Sequence, residues 1–217
     1  MSWNTILFDL DGTLTDPKVG ITTAVSKGLA HFGITEDPEN LTNFIGPPLH
    51  ESFQVYYGMT PEQAVKAVEV FREYYNRQGW AENVPYAGVS ECLKALKDSG
   101  KKLLLATSKP ENFAERILEH FGMAQYFDLI CGAPIHDPAG SKKATVILDA
   151  LARADVRDLS DAIMVGDRKH DVLGAHEVGL KAVGVLYGYG SREEFLACGA
   201  DYIVENVEQL QKFLLNK

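Results

Sequence analysis

Two aspartates two positions apart, Asp9 and Asp11, stand directly after a short apolar run in Phe8-Asp9-Leu10-Asp11-Gly12-Thr13-Leu14. If that run is a strand of a parallel sheet, both acids arrive at its carboxyl end, where α/β proteins bind their ligands. An aspartate-glycine pair also marks ordinary turns, so the pair alone does not decide. Two further acids, Asp167 and Asp171, flank the strand-to-helix turn of Gly166-Asp167-Arg168-Lys169-His170-Asp171. Four carboxylates crowded on one rim repel one another unless a cation neutralises them. Oxygen donors without a cysteine or a histidine pair select a hard divalent ion, which points to Mg²⁺. A calcium loop of the EF-hand type is excluded by counting, because it would put Leu7 and Lys18 where acids are required. Neither G-x-x-x-x-G-K-[ST] nor G-x-G-x-x-G occurs, so nucleotide cradles of those types have no support.

Residues of complementary kinds stand before two other helices. Thr107 and Ser108, in Leu105-Ala106-Thr107-Ser108-Lys109-Pro110, form a hydroxyl pair ahead of a helix start whose free N–H groups favour an anion. The same pair fits a simple N-cap. Ser141-Lys142-Lys143 precedes the helix at Ala144 and offers an ammonium to a phosphoryl group, although a lysine pair on a loop is also ordinary solvated surface.

The elements that must carry these residues are short apolar runs alternating with helix-period segments, the pattern of a parallel sheet with helices on its faces. The spacing predicts strands at Thr5 to Phe8, Lys102 to Ala106, Asp128 to Cys131, Ala162 to Val165, Lys181 to Leu186 and Tyr202 to Val204. Between them, Val89/Leu93/Leu96, Phe113/Ile117/Leu118/Phe121, Ala144/Ile147/Leu148/Leu151 and Val207/Leu210/Phe213/Leu214 recur at helical spacing. Pro110 is expected at the first position of a helix. The gap between the first two strands is too long for one crossover and reads as helical throughout. Within it, Thr60-Pro61-Glu62-Gln63 forms a capping box with proline at the first helical position. Residues 1–15 and 84–217 therefore form an α/β core, and 16–83 an all-helical insertion hinged at Leu14 to Pro17 and Ala81 to Ala87. At about 150 residues per domain, 217 residues suit a core with such an insertion.

Composition narrows the function classes. Hydrophobic residues make up 46% and charged residues 24%, as in folded soluble chains, which disfavours disorder, collagen and coiled coil. The net charge of −9 repels phosphate backbones and argues against a nucleic-acid partner. Three cysteines, Cys92, Cys131 and Cys198, form no C-x-x-C pair, and the odd count suits a reducing compartment. The N-terminal apolar run stops at Asp9, far short of a signal or spanning segment, so the expectation is a cytoplasmic protein without a membrane partner.

Taken in order, Asp-x-Asp, then Thr/Ser, then Lys, then Gly-Asp-x-x-x-Asp, the chain resembles the haloacid dehalogenase-like superfamily of hydrolases. Gly46-Pro47-Pro48-Leu49, Gly166-Asp167-Arg168 with Gly174-Ala175, and Tyr187-Gly188-Tyr189-Gly190-Ser191 are similar to the phosphoglycolate phosphatase-like subgroup, which carries a helical cap after the first motif. The resemblance implies a Rossmann-like core, with residues 16–83 as the cap and Gly46, Pro47, Pro48 and Leu49 as the candidate substrate loop. It implies Asp9 as nucleophile, Asp11 as general acid and base, and an aspartyl-phosphate that water hydrolyses. Mg²⁺ would be held by Asp9, the Asp11 carbonyl and Asp167, with Asp171 orienting the shell, while Thr107, Ser108 and Lys143 bind phosphoryl oxygens. Lys142 competes with Lys143, which is preferred because it directly precedes the apolar helix face.

Two departures, Ala144 where the subgroup often has proline and Ser108 where asparagine is frequent, weaken an assignment to phosphoglycolate itself. Asp11 disfavours dehalogenation, since haloacid dehalogenases lack this acid. The expected partner is a small phosphorylated metabolite, and the expected state a monomer or small homo-oligomer. Rival readings are a phosphomutase of the β-phosphoglucomutase type, a nucleotidase or pyrophosphatase, and a non-enzymatic receiver-like module.

Overall fold

The computed structural model describes residues 3–134 and 142–216. The chain divides into two compact units, Met1–Asp16 with Pro85–Lys217, and Pro17–Val84. In chain order the strands are β1 (Thr5–Phe8), the two-residue β2 (Thr15–Asp16) and β3 (Val84–Pro85), then β4 (Lys102–Pro110), β5 (Leu129–Ala133), β6 (Ala162–Gly166), β7 (Lys181–Val185) and β8 (Tyr202–Val204). Helices α1 (Lys18–Ala30), α2 (Leu49–Tyr57) and α3 (Pro61–Arg77) belong to the second unit. The first unit holds α4 (Val89–Asp98), α5 (Glu111–His120), α6 (Lys143–Arg153), α7 (Lys169–Val178), α8 (Arg192–Cys198) and α9 (Val207–Leu215).

The first unit is built on a parallel sheet in the order β5-β4-β1-β6-β7-β8. Every residue of β1 and β6 is buried, as strands covered on both faces must be. Leu7, Leu104 and Met164 share one cluster with Val146 and Ile147 of α6 and Val172 and Ala175 of α7. The alternate residues Ile6, Phe8, Leu103 and Leu105 are also buried and point to the opposite face. β1 lies between β4 and β6, so the carboxyl ends of these three strands meet at the middle of one rim.

Three local expectations are corrected. β4 runs on past Ala106 to Pro110, with a register shift against β5 between Thr107 and Pro110. Pro110 is consequently the extended residue that caps α5, at ψ 133°, not its first helical residue. Proline is tolerated there because the register shift leaves its missing N–H without a ladder bond to make. Helix α8 was not foreseen; it begins where the Ser191 hydroxyl accepts the Glu194 N–H (3.1 Å).

In the second unit, Ile21, Val25 and Leu29 of α1 and Ala64, Ala67 and Phe71 of α3 contribute to the buried core. The rings of Phe44 and Phe53 lie 5.0 Å apart. The Thr60 box forms as its spacing predicts, Gln63 N–H donating to Thr60 Oγ1 (3.3 Å) and Thr60 N–H to Gln63 Oε1 (2.9 Å). Pro38–Phe44 is a 3₁₀ segment rather than α-helix. Gly46, Pro47 and Pro48 lead from it to Leu49, the first residue of α2. Among the described residues, no helix is long and apolar enough to cross a membrane.

Candidate active site

The Asp9 N–H donates to the Val165 carbonyl (3.0 Å), so the residue just past β1 is still laced to β6. Asp167 follows the last residue of β6, which brings it beside Asp9. Asp171 lies in the first turn of α7, where one of its oxygens accepts the Arg168 N–H (3.1 Å). One carboxylate oxygen from each of Asp9, Asp167 and Asp171 lies within 4.8 Å of the others. After Asp9 the chain turns back on itself, with the Leu10 carbonyl accepting the N–H groups of Thr13 (3.2 Å), Leu14 (2.9 Å) and Thr15 (3.1 Å). Gly12 enables that turn at φ +83°, and a Cβ there would sit 2.1 Å from Asp167 Oδ2.

Lys143, the first residue of α6, is buried and reaches into the acids. Its Nζ lies 2.9 Å from Asp9 Oδ1 and 2.8 Å from Asp171 Oδ1, and donates to the Ala106 carbonyl (3.1 Å). Lys142 is exposed as the residue preceding α6, so of the lysine pair it is Lys143 that meets the carboxylates. Ser141 lies outside the described residues. Thr107 is buried, and its hydroxyl oxygen accepts the Lys109 N–H (3.2 Å), while Ser108 is half-buried. Asp11 is drawn to a partner that the motif reading gave no role. Lys109 Nζ, from the end of β4, donates to Asp11 Oδ2 at 2.6 Å, with the lysine side chain only 6% exposed.

The electrostatics follow from burial and crowding. Burial, then Asp171 and Asp9, hold the Asp167 carboxyl well above the ordinary carboxylate range. Burial also pushes Asp171 up, to about 6, against the opposing pull of Lys143. Asp11 is raised by burial despite the Lys109 ammonium beside it. Burial works against the charge on Lys143, but Asp171 and Asp9 more than offset it and raise its pKa.

The donors fit a hard divalent cation. Asp9 Oδ1, Asp11 Oδ1 and Asp171 Oδ1 are sealed from solvent and accept no hydrogen bond among the described residues. The Lys143 ammonium, 2.9 and 2.8 Å from two of these oxygens, offsets part of their charge, one cation against three acids. Buried carboxylate oxygens are expensive to leave in that state, and an all-oxygen set of this kind is what Mg²⁺ takes. Asp171, expected behind the ligands, has its oxygen in the same cluster as the other two. The Asp11 carboxylate is not part of that cluster and turns to Lys109.

The order of motifs and the sheet that carries them have a counterpart in known proteins. The family model of the haloacid dehalogenase-like hydrolases matches residues 6–185. The chain belongs to that family. A 5'-nucleotidase of Pseudomonas aeruginosa is 40% identical over 96% of the chain and 94% of its own length. A phosphoglycolate phosphatase of Vibrio parahaemolyticus is 30% identical over 94% of the chain and 93% of its own length. The tyrosine-protein kinase PtkA of Mycobacterium tuberculosis is 42% identical over 88% of the chain, which spans 64% of that protein. Among solved structures, a predicted phosphatase from Clostridium acetobutylicum superposes with a TM-score of 0.93 at 45% identity, each chain covered in full (100%). This haloacid dehalogenase-like hydrolase is thus an enzyme, which sets aside the receiver-like alternative.

The sequence motifs located Asp9, Asp167, Asp171 and Lys143, and the fold assembles them. It does not add the Asp11 carboxylate to their cluster. Gly46 to Leu49 lie in the separate helical unit. Four contacts with these loops had no role in the motif reading: Lys109 to Asp11, the Thr13 hydroxyl to Asp167 Oδ1 (3.5 Å), the Tyr187 hydroxyl to the Thr13 carbonyl and the Tyr189 N–H to Asp167 Oδ2. The Lys109 signal was present, a lysine two residues past Thr107 at a strand end, but nothing in the spacing says which way it points.

Proposed function

We propose that this hydrolase is a Mg²⁺-dependent phosphatase that cleaves a small-molecule phosphate monoester through an aspartyl-phosphate on Asp9. The observation that carries the reading is the Asp9, Asp167 and Asp171 cluster, with oxygens within 4.8 Å and the buried Lys143 ammonium against two of them. The side chains of Asp9 and Asp167 and the Asp11 carbonyl would hold the ion, with Asp171 orienting or joining the set. When bound, Mg²⁺ supplies the positive charge that lets an anionic nucleophile approach an anionic ester.

In the first step an Asp9 carboxylate oxygen attacks phosphorus, the ester oxygen leaves with its electron pair, and Asp11 gives that oxygen a proton. In the second, Asp11 as carboxylate takes a proton from water as the water oxygen attacks phosphorus. The acyl phosphate then breaks to inorganic phosphate and free Asp9. The burial that raises Asp11 suits it to hold a proton before transfer. In this reading Lys143 stabilises charge developing on the phosphoryl oxygens, and Thr107 and Ser108 hydrogen-bond them. In this reading the helical insertion acts as a substrate-selecting cap, with Gly46 to Leu49 as its contact loop.

The names of the relatives point to three phosphate esters to test: a nucleoside 5'-monophosphate, 2-phosphoglycolate and, as the product rather than the substrate of a tyrosine kinase, phosphotyrosine. Phosphate release from p-nitrophenyl phosphate and from these three, with Mg²⁺ and with EDTA, tests the reading. Turnover that needs Mg²⁺ and disappears in Asp9→Asn is expected. Turnover that survives either EDTA or Asp9→Asn would overturn it.

A further inference from the structure

The segment Tyr187-Gly188-Tyr189, which follows β7, touches both loops that carry the acids. The Tyr187 hydroxyl donates to the Thr13 carbonyl (3.0 Å), and the Tyr189 hydroxyl donates to Asp16 Oδ1. The backbone N–H of Tyr189 donates to Asp167 Oδ2 (2.9 Å). Between these contacts, Gly188 lies so close that a Cβ would stand 2.2 Å from the Gly12 carbonyl oxygen and 2.4 Å from Asp167 Cβ. The Tyr86 ring packs edge-on to Tyr187 at 5.1 Å and backs the segment. One short segment therefore ties the turn after Asp9 and Asp11, at Gly12, Thr13 and Asp16, to the backbone and carboxylate of the Asp167 loop.

We infer that Tyr187, Gly188 and Tyr189 are positioning residues that hold Asp167 against Asp9, and that they set the affinity of the site for its divalent cation. The inference rests on the metal reading proposed above. Without the strap, Asp9 and Asp167 sit on separate loops after neighbouring strands, and their carboxylates repel. Each anchor restricts the direction in which Asp167 can turn away. The Tyr189 N–H engages Oδ2 and the Thr13 hydroxyl donates to Oδ1 (3.5 Å), so the segment and the turn it holds orient the Asp167 carboxylate between them. Partners of this outer kind typically change metal affinity or activity by about 10- to 100-fold when removed.

The test titrates Mg²⁺ into the metal-free protein by calorimetry and compares Tyr187→Phe, Tyr189→Phe, the double variant and Gly188→Ala with the parent chain. Melting in EDTA is measured alongside. The two phenylalanine variants remove one hydroxyl each and keep the ring, so the conclusion does not depend on whether Gly188→Ala folds. Each single change is expected to weaken Mg²⁺ binding several-fold, and the double variant by on the order of tenfold or more. Turnover at saturating Mg²⁺ should return to near the parent value, because Asp9 and Asp11 are intact. A merely structural segment would lower the melting temperature in EDTA and leave Mg²⁺ affinity unchanged. An unchanged affinity in the double variant, with the parent binding Mg²⁺ normally, overturns the strap alone. A parent chain that hydrolyses phosphate esters without taking up Mg²⁺ overturns the metal reading and the strap with it.

Discussion

Asp128 stands at the amino end of β5 and Asp167 at the carboxyl end of β6, so the same side chain meets both edges of one parallel sheet. At the amino edge, Lys97 Nζ donates to Asp128 Oδ1 (2.6 Å) and the Leu103 N–H to Oδ2 (2.8 Å). Burial works the other way, but these donors hold the Asp128 carboxyl below its ordinary value. Asp161, just ahead of β6, is likewise met by the Asn4 N–H (2.9 Å) and side-chain amide (3.0 Å). At the carboxyl edge Asp167 is 1% exposed, crowded by Asp9 and Asp171, and pushed up rather than down. Asp128 and Asp161 at the amino edge are met by donors within the chain, whereas at the carboxyl edge Asp9, Asp11 and Asp171, beside Asp167, each keep a buried oxygen without a hydrogen bond among the described residues. Buried polar atoms are nearly always satisfied, so a cluster that is not marks where something from outside the chain finishes the structure.

That contrast can be broken most sharply by exchanging one atom at each edge. Asp9→Asn is expected to lower kcat for p-nitrophenyl phosphate by on the order of a thousandfold or more, as loss of a nucleophile does, while Asp128→Asn leaves it within about twofold. Steady-state assays of the two variants at saturating Mg²⁺ check this. The lysines give the next largest effect. Lys143→Met leaves buried acids uncompensated and should cost about 3 kcal/mol in metal-free denaturant unfolding. Lys97→Met breaks a half-exposed pair and should cost under about 1 kcal/mol.

Strand β4 offers a third comparison, since Lys101 just before it donates to the Trp3 carbonyl (2.7 Å) and Lys109 near its end donates to Asp11. Lys109→Met is expected to lower kcat roughly tenfold through a less well held Asp11, and Lys101→Met to change melting without changing kcat. The smallest effect is the pH dependence of the metal-free protein. The folded pKa of Asp171, about 6, exceeds the ordinary carboxylate value, so the folded state binds more protons between those two values and stability falls as pH rises through that window. Asp128, with a lowered folded pKa, contributes stability that is present above its unfolded value and lost as pH falls through its folded one. Melting in EDTA should therefore show Asp171→Asn gaining on the parent chain toward neutral pH and Asp128→Asn losing on it.

Much of the site was legible because its members sit at strand ends, where local sequence fixes direction. Asp9 after TILF and Asp167 after AIMVG could be read because an apolar run ending in an acid has few alternatives in a parallel sheet. The six strands of the core were recognisable for the same reason, although β4 continues past Ala106 where a bulge, invisible in composition, keeps Thr107 to Pro110 extended. Lys109 and the two tyrosines were not legible. Their partners lie 98, 174 and 173 positions away, and no periodicity tells a lysine or a tyrosine which distant oxygen it will meet. The insertion reads as helical throughout, but nothing in composition separates the 3₁₀ winding of Pro38–Phe44, whose start the Asp37 side chain caps, from α-helix.

The central claim is that Asp9 carries the phosphoryl group in transit. Rapid acid quenching of the Mg²⁺-loaded enzyme during turnover, followed by peptide mass spectrometry, tests it directly. The account predicts a phosphoryl adduct on the peptide bearing Asp9 that hydroxylamine discharges and that Asp9→Asn lacks. An adduct on Thr107, Ser108 or another side chain, with Asp9 unmodified, would contradict it.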